Sequence, residues 1–175
     1  MICIGKFYPF LPGFPAEENT VRDAASASTQ AVADVMPPET FQNQYFNMLT
    51  KLATKEWFTA RISSAGLIAR AYTKLTRKQQ QEHVTLFAQL CRDDTPMVRR
   101  VAAQHLGTML KNVVETTGRK SLESDGLLPS LFLPLYEELA SNEQPVRRTF
   151  VAKTSYLTCF EMRKCSHTIF SHVSA

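Results

Sequence analysis

Apolar side chains recur along most of this chain at the three-to-four-residue spacing of helices. Phe41, Tyr45, Met48, Leu49 and Leu52 form one stripe, and Ile62, Ala65, Ala69 and Tyr72 a second. Val84, Phe87, Leu90 and Cys91 form a third, followed by Val98, Ala102, Leu106, Met109 and Val113, then by Leu128, Leu131, Leu135 and Leu139. Such stripes predict amphipathic helices with one buried face each. No stretch alternates with period two over a useful length, so strands are not expected. The breaks carry helix-boundary chemistry. Pro37-Pro38 ends one helix, with Glu39 or Thr40 opening the next. Thr76 is placed to cap a helix from Arg77, and Asp94 or Thr95 to cap one from Pro96, where a missing N–H costs nothing. Gly126 and Pro129 bracket a further start.

The helices come in repeating pairs. Arg22, Arg61, Arg99 and Arg147 stand in similar surroundings, at intervals of 39, 38 and 48 residues. Five residues before them stand Glu17, Glu56, Asp94 and Asn142. The long third interval coincides with the polar, loop-like run from Thr116 to Asp125. One helix hairpin cannot bury its apolar faces alone, so neighbours must stack on a shared core. Ala24-Ala25, Ala65-Gly66 and Ala102-Ala103 supply the small side chains that close stacking needs. The expected architecture is therefore all-α: an α-solenoid of about four HEAT-type helix pairs with irregular ends. A non-repetitive helical bundle is the alternative. The predicted organisation is an irregular segment over 1–15, a solenoid over 16–152 and a divergent tail over 153–175.

Composition narrows the function classes. The 175 residues are 44% hydrophobic and 21% charged, an ordinary globular balance, and the net charge is only +4. That excess is spread along the chain rather than gathered into the dense stripe of a nucleic-acid binder. No apolar run approaches the ~20 residues of a membrane-spanning helix. Near the start, Pro9, Pro12, Gly13 and Pro15 interrupt the apolar residues and read against a secretory leader. Cys3, Cys91, Cys159 and Cys165 form no CxxC pair, and a cytoplasmic protein, with the nucleus as a second compartment, is expected. His83, His105, His167 and His172 stand in no nucleophile or zinc-protease motif, and no phosphate-binding glycine loop occurs. The reading is a non-enzyme without cofactor or metal.

At Asp93-Asp94-Thr95-Pro96-Met97-Val98-Arg99-Arg100 the sequence resembles the scaffolding A subunit (65 kDa regulatory subunit) family of protein phosphatase 2A. Trp57-Phe58-Thr59-Ala60-Arg61, Glu17 to Ala25 and Leu139 to Gln144 look like further repeats of the same family, over roughly residues 16 to 152. The resemblance implies a HEAT-repeat horseshoe of which this chain holds about four repeats. It also implies a role in which the turns within successive repeats hold an exchangeable regulatory B-type subunit. Repeats resembling the catalytic-subunit site are absent, so that partner is expected only if they are supplied. Three parts depart from the family pattern: the first sixteen residues, the long loop near Thr116 to Asp125, and the run after about Lys153.

The intra-repeat turns are the candidate sites. Trp57 and Phe58 are large aromatics beside a turn, the kind of anchor that interfaces favour, with Glu56 preceding them. Pro96 rigidifies a second turn and so presents Asp94, Thr95 and Met97 at low ordering cost. The resemblance implies that this turn and Arg100 touch regulatory subunits, with Arg148 the analogue of Arg100 one repeat later. Glu17, Glu18, Asn142 and Glu143 complete the set, and the acids among them could equally serve partner contact or internal ion pairs. Arg22, Arg61, Arg99 and Arg147 are expected to build a ladder of ion pairs between neighbouring repeats. An adaptor for another protein client, or a truncated product without independent function, are the competing readings.

Overall fold

The computed structural model describes residues 18–118 and 128–141, and among these every regular element is helical. Helix α1 spans Asn19–Val35. The short α2 (Pro38–Thr40) passes through a π turn at Phe41–Tyr45 into α3 (Phe46–Ala53) without a break in the chain's direction. Helix α4 (Phe58–Ala71) ends in a 3-10 turn at Tyr72–Lys74. Helices α5 (Arg77–Cys91) and α6 (Pro96–Thr117) follow, and a π turn at Leu128–Phe132 leads into α7 (Leu133–Ser141). Of the expected organisation, the segment over 1–15 and the tail over 153–175 lie outside the described residues.

The helices pack in two rows. α3 pairs with α4, and α5 with α6; α3, α5 and α7 then succeed one another in the first row, and α1, α4 and α6 in the second. This is the stacking of antiparallel pairs that a solenoid requires. The closest packing joins α4 to α6. It rests on small side chains: Ala65, Ala69, Ala102 and Ala103 are all 0% exposed. A Cβ on Gly66 would stand 3.0 Å from Nε2 of His105, so the missing side chain makes room for that ring. Asn112 Nδ2 donates to the Ala69 carbonyl at 2.7 Å and fixes the register between the two helices.

The stripes read from the sequence form one continuous core. Val98, Ala102, Leu106, Met109 and Val113 are wholly buried, as are Leu49, Ile68 and Leu139. Phe41 and Tyr45 lie one helical turn apart and stack at 4.6 Å between ring centroids, so the π turn directs both rings inward. One boundary needs correction. The α2 helix opens at Pro38, with Pro37 in the capping position, rather than at Glu39 or Thr40. Before α6, Thr95 holds the capping position, but the carboxylate that organises the turn is that of Asp93, not Asp94: it accepts the Thr95 N–H at 2.8 Å. Thr76 caps α5 as its sequence suggests, and Gln79 reaches back to accept the Thr76 N–H at 3.2 Å.

Candidate functional site: the intra-repeat turns

Two turns, Thr54 to Trp57 and Arg92 to Thr95, join the helices of successive pairs and share one construction. In each, the arginine one turn into the following helix reaches back over its own N-terminus. Arg61 Nη1 donates to the carbonyls of Lys55 at 2.8 Å and Glu56 at 2.5 Å. Arg99 Nη1 donates to those of Asp93 at 2.7 Å and Asp94 at 3.0 Å. The offsets of six and five residues are the same in both units, and the guanidinium closes the turn by satisfying carbonyls that the helix ladder leaves over.

Arg61 also crosses to the next turn. Its Nε donates to Asp93 Oδ2 at 2.6 Å, and its Nη2 to Asp93 Oδ1 at 3.0 Å and to Thr95 Oγ1 at 3.2 Å. Burial works to raise the Asp93 pKa, but the Arg61 guanidinium and the Thr95 N–H outweigh it and hold the carboxyl below its usual range. The same pairing raises the Arg61 pKa. One side chain thus locks two consecutive turns to each other.

The expected ladder is modified accordingly. The acid that Arg61 grips stands six residues before the next arginine, not five, and Glu56 and Asp94 meet the arginines through their backbone carbonyls. The position matching Asp93 in the preceding turn is Lys55, so the acidic rung does not recur there. Arg22 is buried and bonds to Asn19 on its own helix. Arg147 lies outside the described residues, together with Glu17, Asn142, Glu143 and Arg148.

Around these locked turns, Trp57 is 69% exposed and Met97 54% exposed. Glu56, Asp94, Pro96 and Arg100 are exposed beside them, while Phe58 and Thr95 are half-buried and Phe58 packs on the core. Glu18 is exposed at the start of α1. Large apolar side chains left in water on a rigid backbone are suited to partner contact. Two further contacts escaped sequence reasoning. Arg92 makes a two-pronged pair with Glu138 of α7, both bonds 2.7 Å, and so reaches forward from the turn where Asp93 reaches back. His83 is 0% exposed, its ring 5.6 Å from that of Phe46. The only hint in sequence was the Arg92-Asp93 doublet, opposite charges side by side at a turn. Among the described residues no helix is long and apolar enough to cross a membrane.

Known proteins place this architecture. The HEAT repeat family model matches residues 84–113, which cover most of α5, the second turn and most of α6. A probable serine/threonine-protein phosphatase PP2A regulatory subunit of Caenorhabditis elegans is 40% identical over 108 residues, covering 62% of this chain and 18% of the relative. The protein phosphatase 2A scaffold subunit of Dictyostelium discoideum is 34% identical over 112 residues, 64% of this chain and 19% of its own length. The serine/threonine-protein phosphatase PP2A 65 kDa regulatory subunit of Drosophila melanogaster is 40% identical over 100 residues, 57% of this chain and 17% of its own. The chain thus spans about a fifth of the length of the relatives it matches. Paired helices, arginine-closed turns and these similarities together mark the chain as a homologue of protein phosphatase 2A scaffold and regulatory subunits, with a HEAT repeat at residues 84–113.

Proposed function

We propose that this chain serves as a scaffold element of a protein phosphatase 2A-like complex and holds a regulatory B-type subunit by its intra-repeat turns, within a solenoid running over residues 16–152. The observation that carries the reading is the pair of turns fixed to each other by Arg61, with Trp57 and Met97 exposed beside them. Preorganised turns lose little entropy on binding, so modest contacts from each can add along the row. Trp57 and Met97 supply apolar anchors, and Glu56, Asp94 and Arg100 a charged rim. Glu17, Glu18, Asn142 and Glu143 belong to the same proposed contact set on the strength of their sequence positions. The catalytic subunit joins only through repeats that this chain does not match.

The test is capture of purified B-type regulatory subunits by the wild-type chain and by Trp57→Ala, Met97→Glu and Arg100→Glu, with helix content checked by circular dichroism. Each variant is expected to weaken binding by about 1–3 kcal/mol where the side chain meets a desolvated partner group. Folded protein that captures no B-type subunit would remove the reading in favour of another protein client. Binding unchanged by Arg100→Glu would take that residue out of the site.

A further inference from the structure

Helix α1 turns an apolar face to water. It packs chiefly on α4, and its buried residues are Arg22, Thr29 and Ala33. Turned away from these, Val21, Ala24, Ser28, Ala31, Val32 and Val35 share an arc of about 100° at the helical period. All six are exposed, Val35 to 83%. Their spacing is that of a helix face meant for burial. Among the exposed positions of α1 only Asp23 and Asp34 are charged, whereas those of α5 are Arg77, Lys78, Gln81, Glu82, Thr85 and Gln89. A solenoid end that meets water needs a polar outer face, and α1 does not supply one. It is also the first described element, so the place that α3 takes beside α4 is held by no described helix beside α1.

The sequence directly before α1, outside the described residues, has the chemistry of a cover. Phe7-Tyr8-Pro9, Phe10-Leu11-Pro12 and Gly13-Phe14-Pro15 are three consecutive triplets. Proline at every third position matches the period of a polyproline II strand, three residues per turn and about 3.1 Å per residue. At that period Tyr8, Leu11 and Phe14 fall on one side, with Phe7 and Phe10 on the next. Phe7 to Phe14 would then span about 22 Å, against about 21 Å from Val21 to Val35 along α1. Glu18 leads into α1 with extended backbone, φ −77° and ψ 123°. The four residues from Pro15 to Glu18 suffice for one reversal of the chain. We propose that residues 7–14 fold back and dock on the outer face of α1, with Phe14 against Val21, Leu11 over Ala24 and Ser28, and Tyr8 against Val32 and Val35. The small side chains at 24, 28 and 31 leave hollows for the bulkier ones of the segment. A proline-rich strap thus stands where the next helix of the solenoid would.

Limited proteolysis of the full chain tests this. Chymotrypsin does not cut before proline, so its sites in the segment reduce to Phe7–Tyr8 and Phe10–Leu11. Docking should shield both bonds. Ala31→Asp and Val35→Asp are each expected to speed their cleavage at least tenfold while circular dichroism stays unchanged. Val35 is exposed enough for its replacement to spare the fold, so it keeps the test valid should Ala31→Asp unfold the chain. From the other side, Phe10→Asp leaves α1 intact and should raise the fluorescence of the apolar-surface dye ANS severalfold. Cleavage at the same rate in wild type and Val35→Asp, or dye fluorescence unchanged by Phe10→Asp, would each overturn the inference. Shielding that disappears on dilution, together with a dimer in sedimentation, would seat the segment on a second copy and overturn docking within one chain.

Discussion

Arg61 and Asp93 lie 32 residues apart in sequence and meet through two parallel hydrogen bonds of 2.6 and 3.0 Å, joining the turn of one helix pair to the turn of the next. Their side chains are only 17% and 9% exposed, so water screens the pair poorly. Arg92 and Glu138 repeat the two-pronged geometry with side chains 48% and 45% exposed. The same contact in two environments separates burial from geometry.

Urea unfolding of Asp93→Ala is therefore expected to show a loss of about 2–3 kcal/mol, since the change strands a guanidinium and the Thr95 N–H in a half-dry turn. Arg92→Ala should cost less than about 1 kcal/mol, the usual worth of an exposed pair. A double-mutant cycle with Arg61→Ala should return most of the Asp93 effect as coupling energy. Equal losses for Asp93→Ala and Arg92→Ala would contradict the account.

How these turns were foreshadowed in the sequence differs from element to element. The stripes beginning at Phe41, Ile62, Val84, Val98 and Leu128 predicted every helix they fall on, because burial on one face imposes a period that local chemistry cannot hide. The arginine spacing marked the turns for the same reason: stacked pairs repeat their geometry. Within a turn no such period operates, and Asp93 and Asp94 are chemically identical neighbours. Only the backbone decides which carboxylate faces Arg61. The π turn at Phe41–Tyr45 was likewise hidden, since its two rings satisfy an α-helical spacing equally well. Arg92 and Glu138 are 46 residues apart, and their meeting depends on how far α7 is offset along α5.

The α4–α6 seam yields a second prediction. Gly66 lies opposite His105, and an added Cβ would stand 3.0 Å from its Nε2. Gly66→Ala gains about 1 kcal/mol of helix propensity and forces the ring to move by a few tenths of an ångström, so its net effect should be small. Gly66→Leu should cost roughly 1–3 kcal/mol by overpacking. Adding His105→Ala to Gly66→Leu should recover part of that loss in thermal melts. A Gly66→Leu variant as stable as wild type would mean that the helices do not approach so closely.

Trp57 is the chain's single tryptophan and is 69% exposed, which makes the proposed docking edge directly observable. Its emission in the free chain should be red-shifted and readily quenched by acrylamide. Addition of a B-type regulatory subunit lacking tryptophan at its contact surface should shift the emission to the blue and cut the quenching. Trp57→Ala should change stability by no more than about 0.5 kcal/mol, as expected for a side chain with little buried area. Loss of binding with preserved stability would assign Trp57 to the interface; loss of both would assign it to packing.

His83 makes the fold sensitive to mild acid. Burial lowers its pKa to about 4 against an ordinary value of 6.5, with the Ile68 backbone pulling weakly the other way. The folded state therefore resists protonation that the unfolded chain accepts, and stability should be full above pH 6.5 and decline as pH falls from 6.5 towards 4. The total loss over that window is about 3 kcal/mol by linkage. Asp93 acts in a different range: its lowered pKa gives stability that is present above the ordinary carboxylate value and is lost only as pH falls further, through its own folded-state pKa. Denaturant midpoints between pH 7 and 4.5 thus carry the His83 contribution, which the His83→Leu variant isolates. His83→Leu keeps an apolar side chain against Phe46 and should flatten the profile over that interval while leaving the steeper fall below pH 4 in place. A His83→Leu profile that still declines between pH 6.5 and 4.5 as the wild type does would show that another group carries the acid sensitivity.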